Sequence, residues 1–232
     1  MSAIKSTDFR FPKRILLIRH AQSEANENPL IYSEKPDHLH ELTSLGERQS
    51  QEAGNRLHSL FGNESYGVFV SPYLRTMRTM EIACGSIGRD PVFIHEDPRL
   101  REQDHGPMRS PDTSAEHRNE RNLHGMFFYR FPSGESCADI FDRVSTFLET
   151  LHRRFAAQNF PENILMFTHG TAMKCFLMRW YHWSYRTFET LPAHPPNGHI
   201  VLMLREDNSP DFGLSEPFDG PFLQPITDTP EP

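Results

Sequence analysis

The sequence predicts an α/β fold of three layers: a mostly parallel central sheet, helices on both faces, and a partly helical insertion. Three observations predict it. Short, continuous apolar runs alternate with segments of helical period, the pattern of parallel strands buried on both faces and joined by helices. The chain has 232 residues, 37% hydrophobic and 24% charged, enough for a sizeable core and longer than one usual domain. A polar stretch from about Glu102 to Phe131 has no strand pattern and reads as an insertion over the sheet's edge.

The elements follow in order. Residues 1–12 are polar and form an N-terminal extension. The run Ile15–Ile18 is the first strand, and Leu45, Ala53, Leu57 and Leu60 mark a helix weakened by Gly54. Gly67–Val70 is the second strand. Pro72 suits a helix's first turn, with the helix running on to Ala83. Val92–Ile94 is a third strand. After Pro132–Ser136, Ile140, Val144, Phe147, Leu148, Leu151 and Phe155 give the clearest apolar stripe of the chain. Ile164–Phe167 is a strand, Gly170 opens a helix through Trp180, and His199–Leu204 is the last apolar run. Residues 13–205 thus form one domain. Residues 206–232, with six prolines from Pro210 to Pro232, read as an extended or disordered tail.

Composition removes several function classes. Lys plus Arg is 24 against 31 for Asp plus Glu, a formal charge of -7, which excludes a globally basic nucleic-acid binder. Three scattered cysteines, Cys84, Cys137 and Cys175, make no disulfide framework and fit a reducing compartment. The N-terminus lacks the apolar core of a signal peptide, and no apolar run is long enough to span a bilayer. The expectation is a cytoplasmic protein without nucleic-acid or membrane partners, a monomer or homodimer. Thirteen histidines suggest a metal site, but none shows zinc-ligand spacing, so neither metal nor cofactor is expected.

Chemistry is sought beyond the carboxyl ends of the strands, where open α/β sheets bind ligands. Arg19-His20 follows the first strand, Ser71-Pro-Tyr-Leu-Arg75 the second, Pro98-Arg-Leu-Arg-Glu102 the third, and Thr168-His-Gly170 the fourth. Two histidines, arginines and a carboxylate on one sheet edge suit phosphoryl transfer. A neutral imidazole can attack phosphorus, arginine forks match phosphate oxygens, and a protonated carboxyl can serve the leaving alkoxide.

These residues lie in motifs that resemble a known family. Leu17-Ile-Arg-His-Ala-Gln-Ser-Glu-Ala-Asn26 resembles the RHG signature of the histidine phosphatase superfamily, phosphoglycerate mutase-like branch. The later motifs also stand in order, over roughly Lys13 to Leu204. Pro36-Asp-His38, Arg101-Glu-Gln-Asp-His-Gly106 and Phe128-Tyr-Arg-Phe-Pro-Ser-Gly-Glu-Ser136 are similar to its broad-range phosphatase group. The resemblance implies His20 as the nucleophile that becomes phosphohistidine, and Arg19, Arg75 and His169 as the phosphate pocket. It implies Glu102 as proton donor, Ser23 and Asn26 as further polar contacts, and Thr43 and Gly46 as a structural helix entry. The implied activity is a metal-independent phosphatase acting on a phosphorylated small molecule or phosphoprotein, releasing inorganic phosphate.

The residues leave alternatives open. The signature's third residue is normally glycine and is Ala21 here, a crowded position if that backbone needs positive φ or close approach to phosphate. Asp104 and Glu96 compete with Glu102 as the acid. Arg75 could bridge to Glu81 or another carboxylate, and Ser23 and Asn26 could simply cap a turn. Phe127, Phe128 and Phe131 read as a satellite core, with Arg130 open between structure and substrate selection. His38, His40, His117 and His124 default to solvated surface, and His105 either tunes Glu102 or lines the entrance. The competing functions are a phosphoglycerate mutase-type phosphotransferase and a phospho-ligand binding protein with an impaired site. The mutases resemble one another in Glu-Arg-His-Tyr-Gly, where this chain has Glu102-Gln-Asp-His-Gly106.

Overall fold

The computed structural model describes residues 11–107, 111–157, 159–191, 195–205 and 209–215, which excludes the first ten residues and the tail beyond 215. The strands are β1 (Arg14–Arg19), β2 (Tyr66–Val70), β3 (Ile94–Glu96), β4 (Asn163–Thr168), β5 (Ile200–Arg205) and β6 (Phe212–Ser215). They form one sheet of order β3-β2-β4-β1-β5-β6. β1, β2, β3 and β4 run parallel, while β5 pairs antiparallel with β1 and β6 with β5. The helices are α1 (Glu24–Glu27), α2 (Ser44–Phe61), α3 (Leu74–Ile87), α4 (Pro111–His124), α5 (Cys137–Phe155), α6 (Gly170–Trp180) and α7 (Tyr185–Thr190). The mostly parallel α/β architecture is the expected one.

Strand alternation builds the layers. On β1, Ile15 and Leu17 face one side of the sheet and join Ile164, Met166 and the stripe of α5 with α6. Leu16 and Ile18 face the other and join Leu165, Phe167, Ala53, Leu57 and Met80 of α2 and α3. Successive strand side chains point to opposite faces, so a strand apolar throughout demands cover on both. β1 lies between β4 and β5 in the middle of the sheet, and its four apolar side chains are fully buried.

Several boundaries differ from the sequence reading. β3 begins at Ile94 rather than Val92. It is a short edge strand, with Val92 and Ile94 exposed, and Phe93 packs over Gly67, where a side chain would meet its ring. α3 begins at Leu74 behind the N-cap Tyr73, so Pro72 stands before the helix and not in its first turn. β6 falls within the segment whose prolines suggested a tail, because Phe212 anchors it in the core against Trp180. The insertion holds the helix α4, and its Phe127 and Phe131 are buried as expected, but Phe128 is exposed. Arg130 bonds Asp139 at 2.5 Å and the Gly134 carbonyl at 3.1 Å, a structural role. His40 is wholly buried rather than solvated. The three cysteines are free thiols. Among the described residues no helix is long and apolar enough to cross a membrane.

Candidate active site

Strand register brings the two histidines together. Arg19 of β1 is level with Thr168 of β4, and the His20 amide donates to the Thr168 carbonyl at 3.0 Å. The next residues, His20 and His169, therefore leave adjacent parallel strands side by side, with ring centroids 5.2 Å apart. Ser71 extends β2 in the same way on the other side of β4. Its hydroxyl meets His169 Nε2 at 2.8 Å. Arg75, in the first turn of α3, is 3% exposed and lies over Tyr73 at 4.9 Å, while Tyr73 itself lies edge-on to His169 at 5.0 Å.

The loop after His20 is braced from three directions. The Ala21 amide donates to Thr79 Oγ1 at 3.0 Å, and Thr79 donates to the Arg75 carbonyl at 2.7 Å. Gly46, behind the α2 cap Thr43, packs so closely on Gln22 that a Cβ would stand 2.1 Å from its carbonyl oxygen. Asn197 donates to the His20 carbonyl at 3.1 Å and to Asn26 Oδ1 at 3.0 Å. Ala21 is fully buried and is not among the residues with positive φ. Its methyl therefore imposes no left-handed strain. Ser23 and Asn26 come together as the cap of α1: the Ser23 amide and hydroxyl both bond Asn26 Oδ1 at 3.0 Å.

The electrostatics favour neutral rings among fixed charges. Burial, then the charges of Arg75 and Arg19, holds His20 well below its ordinary pKa. Burial, followed by Arg75 and neighbouring groups, does the same to His169. His20 Nδ1 lies 2.8 Å from the Ala21 carbonyl. A carbonyl only accepts, so Nδ1 carries the proton and Nε2 of the neutral ring keeps its lone pair. Among the described residues His169 Nδ1 and Arg19 Nε are buried without hydrogen-bond partners, although Arg19 Nη1 donates to the Pro195 carbonyl.

Two carboxylates face these groups. Glu102 Oε2 accepts from the Thr171 amide at 3.3 Å, at the N-terminus of α6 immediately after His169. Asp104 and Glu96 are placed otherwise: Asp104 accepts from the Gly106 amide at 2.8 Å, and Glu96 is exposed on β3. The second carboxylate is one the sequence reading gave no role. Asp37 Oδ1 and its carbonyl accept from Arg75 Nη1 at 2.9 and 2.6 Å, and Oδ2 from Nη2 at 3.4 Å. Arg75 therefore pairs with Asp37, while Glu81 pairs with Arg78. Donor counting leaves Nε–H and one Nη2–H of Arg75 after these three bonds.

Glu135, within Pro132-Ser-Gly-Glu-Ser136, and Arg143 are further site residues without a role in the sequence pattern. Arg143 donates to the Arg99 and Glu102 carbonyls at 2.6 and 3.1 Å and to Glu135 at 3.1 Å. Gln103 donates to the Glu135 carbonyl at 2.9 Å, and the Glu135 amide to the Asp104 carbonyl at 2.7 Å. The two motifs around Glu102 and Glu135 thus form one brace. Beside the site lies a cavity of about 440 Å³ walled by Tyr32, Asp37, His38, Tyr73 and His105. Among the described residues no three His, Cys, Asp or Glu side chains gather as a metal-ligand set.

Known proteins are similar to this chain in sequence and fold. The family profile of the histidine phosphatase superfamily (branch 1) matches residues 15–214. A phosphoglycerate mutase-like protein of Arabidopsis thaliana, AT74, is 40% identical over 205 residues, 83% of this chain and 65% of that relative. The chain thus spans slightly less than two thirds of that relative's length. The broad-range acid phosphatase DET1 of Saccharomyces cerevisiae is 26% identical over 83% of this chain and 85% of its own. Among solved structures, YhfR of Bacillus stearothermophilus has a TM-score of 0.70 at 19% identity, covering 91% of this chain and 99% of its own. A mycobacterial glucosyl-3-phosphoglycerate phosphatase has a TM-score of 0.67 at 18% identity, covering 87% and 97%.

Proposed function

The chain belongs to the histidine phosphatase superfamily (branch 1), a family of phosphatases and mutases, and from that premise we propose that it is a metal-independent phosphatase hydrolysing phosphate monoesters through His20. The observation that carries the reading is the His20 Nδ1 bond to the Ala21 carbonyl at 2.8 Å. It aligns a neutral ring with a free Nε2 lone pair in a pocket holding Arg19, Arg75 and His169.

In the first step Nε2 attacks phosphorus, an N–P bond forms, and the ester P–O bond breaks. Glu102 gives its proton to the departing oxygen. Arg19 and the remaining N–H groups of Arg75 hold the phosphoryl oxygens, where charge develops. With Ser71 as the donor to His169 Nε2, the ring proton lies on the buried Nδ1, which donates to the same oxygens. In the second step Glu102 takes a proton from water, the water oxygen bonds phosphorus, and the N–P bond breaks. Inorganic phosphate leaves and His20 returns to its neutral form.

The test uses phenyl phosphate with a chelator present. Chelator-resistant release of phosphate, reduced about 10³-fold or more in His20→Ala, is the expected result for a group used only in the chemical step. Equal release from both proteins overturns His20 as nucleophile. The mutase reading draws on the phosphoglycerate mutase-like relative. It predicts interconversion of phosphoglycerates faster than phosphate release.

A further inference from the structure

The cavity beside the site has walls from two polar segments. Tyr32, Glu34 and Asp37 come from one, Asp104 and His105 from the other, and Tyr73 also lines the cavity. It begins where the phosphate pocket ends. Tyr73 touches both His169 and Arg75, and Asp37 grips the Arg75 guanidinium. Through Tyr73 and Asp37 this space adjoins Arg75, so it is open to the leaving group of an ester bound there.

The charges around the cavity are unbalanced. Lys35 lines it, but its ammonium is paired with Glu24. Arg75 is paired with Asp37. Burial keeps His105 below its ordinary pKa, and the Tyr32 and Tyr73 phenols are pushed up to about 12, so all three stay uncharged at neutral pH. Glu34 and Asp104 remain, lining the cavity without an ion pair among the described residues. Among the described lining residues the walls therefore offer aromatic faces, phenol donors and two carboxylates outside ion pairs, while Arg19 and Arg75 act on Tyr32 from the phosphate side, Arg101 on Tyr73 and Arg121 on His105.

We propose, resting on the phosphatase reading above, that this cavity selects monoesters whose leaving group is uncharged or cationic and rejects those carrying a carboxylate or a second phosphate. An anionic group within about 6–8 Å of two carboxylates, at an effective dielectric of about 40, loses about tenfold or more in binding. An ammonium gains by the same interaction, and both effects shrink as salt screens them. A glycerate leaving group carries a carboxylate, so the same imbalance weighs against a mutase.

The test uses three phenyl phosphates with hydroxymethyl, aminomethyl or carboxymethyl groups in the para position, which differ in charge with little change in leaving-group chemistry. Turnover is measured on the wild type, and binding of the intact esters on His20→Ala by calorimetry. The expected order is aminomethyl, hydroxymethyl, carboxymethyl, with the last about tenfold below the second in both kcat/KM and affinity. The Glu34→Gln/Asp104→Asn double variant narrows that ratio to about twofold. An equal or better carboxymethyl ester overturns the proposal, as does a ratio the double variant leaves unchanged. Absence of turnover with the binding order intact overturns the phosphatase reading and leaves the selectivity standing.

Discussion

Replacing Asp37 by alanine removes the carboxylate that faces Arg75 and leaves the main-chain bond from Arg75 Nη1 to the Asp37 carbonyl at 2.6 Å. Arg75 is 3% exposed and Asp37 29%. Removing one partner of a fully buried ion pair costs about 3–5 kcal/mol. The partial exposure of Asp37 and the surviving carbonyl bond bring the expected loss down to about 1.5–3 kcal/mol, the range for a hydrogen bond to a charged group. For a chain of this size that lowers the melting temperature by about 3–12 °C. The second half of the prediction concerns phosphate. A ligand bound only by the folded state stabilises it by RT ln(1 + [L]/Kd), about 2.7 kcal/mol at 100 times its Kd. Asp37→Ala frees a cationic fork, so each phosphate concentration should stabilise the variant more than the wild type. Thermal melts across a phosphate series measure both effects. A variant melting within 1 °C of the wild type, or stabilised less by phosphate, would refute the view that Asp37 balances Arg75.

Three further outcomes are expected. His20 and His169 have folded pKa values below 6.5, so below that pH the unfolded chain binds protons that the folded chain refuses. Their stabilising share is present above pH 6.5 and is lost as pH falls, at up to about 1.4 kcal/mol per pH unit for each histidine. His40, His105 and His152 add to the slope. The measurement is therefore the difference between wild type and His20→Ala in denaturant melts between pH 6.5 and 4.5, and identical slopes would sink the assignment. Glu135→Gln weakens the brace on Glu102, so kcat should fall about 10- to 100-fold with KM nearly unchanged; a change confined to KM would contradict that role. Gly106 has φ +69° and a Cβ there would stand 2.2 Å from the Pro132 carbonyl oxygen. Gly106→Ala should cost about 1–3 kcal/mol in chemical denaturation, and an unchanged midpoint would count against the strained geometry.

The groups at the sheet edge were legible because a buried parallel strand announces itself as an apolar run, and its carboxyl end is then countable. Arg19, His20, His169 and Arg75 follow from that count, and the structure gathers all four with Glu102. Asp37 was not legible as a partner. It lies 38 residues from Arg75 in a polar segment without periodicity, and although Pro36-Asp-His38 stands out as a motif, the motif does not say which cation the carboxylate meets. The brace of Glu135 and Arg143 escaped for a related reason: beside the bond between the two side chains, Arg143 bonds main-chain carbonyls that every residue possesses. Ser23 and Asn26 stood between cap and ligand contact, and their mutual bonds show the cap. β6 was hidden because proline content around it outweighed the single anchor Phe212.

The division between the strand ends and the cavity walls has a consequence for how such a protein can change over time. His20 and His169 hang from β1 and β4, whose apolar side chains are fully buried, so mutation there costs the fold itself. Residues 32–38 and 104–107 shape the cavity from outside both hydrophobic cores. Substitutions in those two segments can reshape the cavity while His20 and the arginines beside it persist. Exchanging the two segments between relatives is thus the natural route to a new specificity, by graft or by drift, with the chemistry inherited intact.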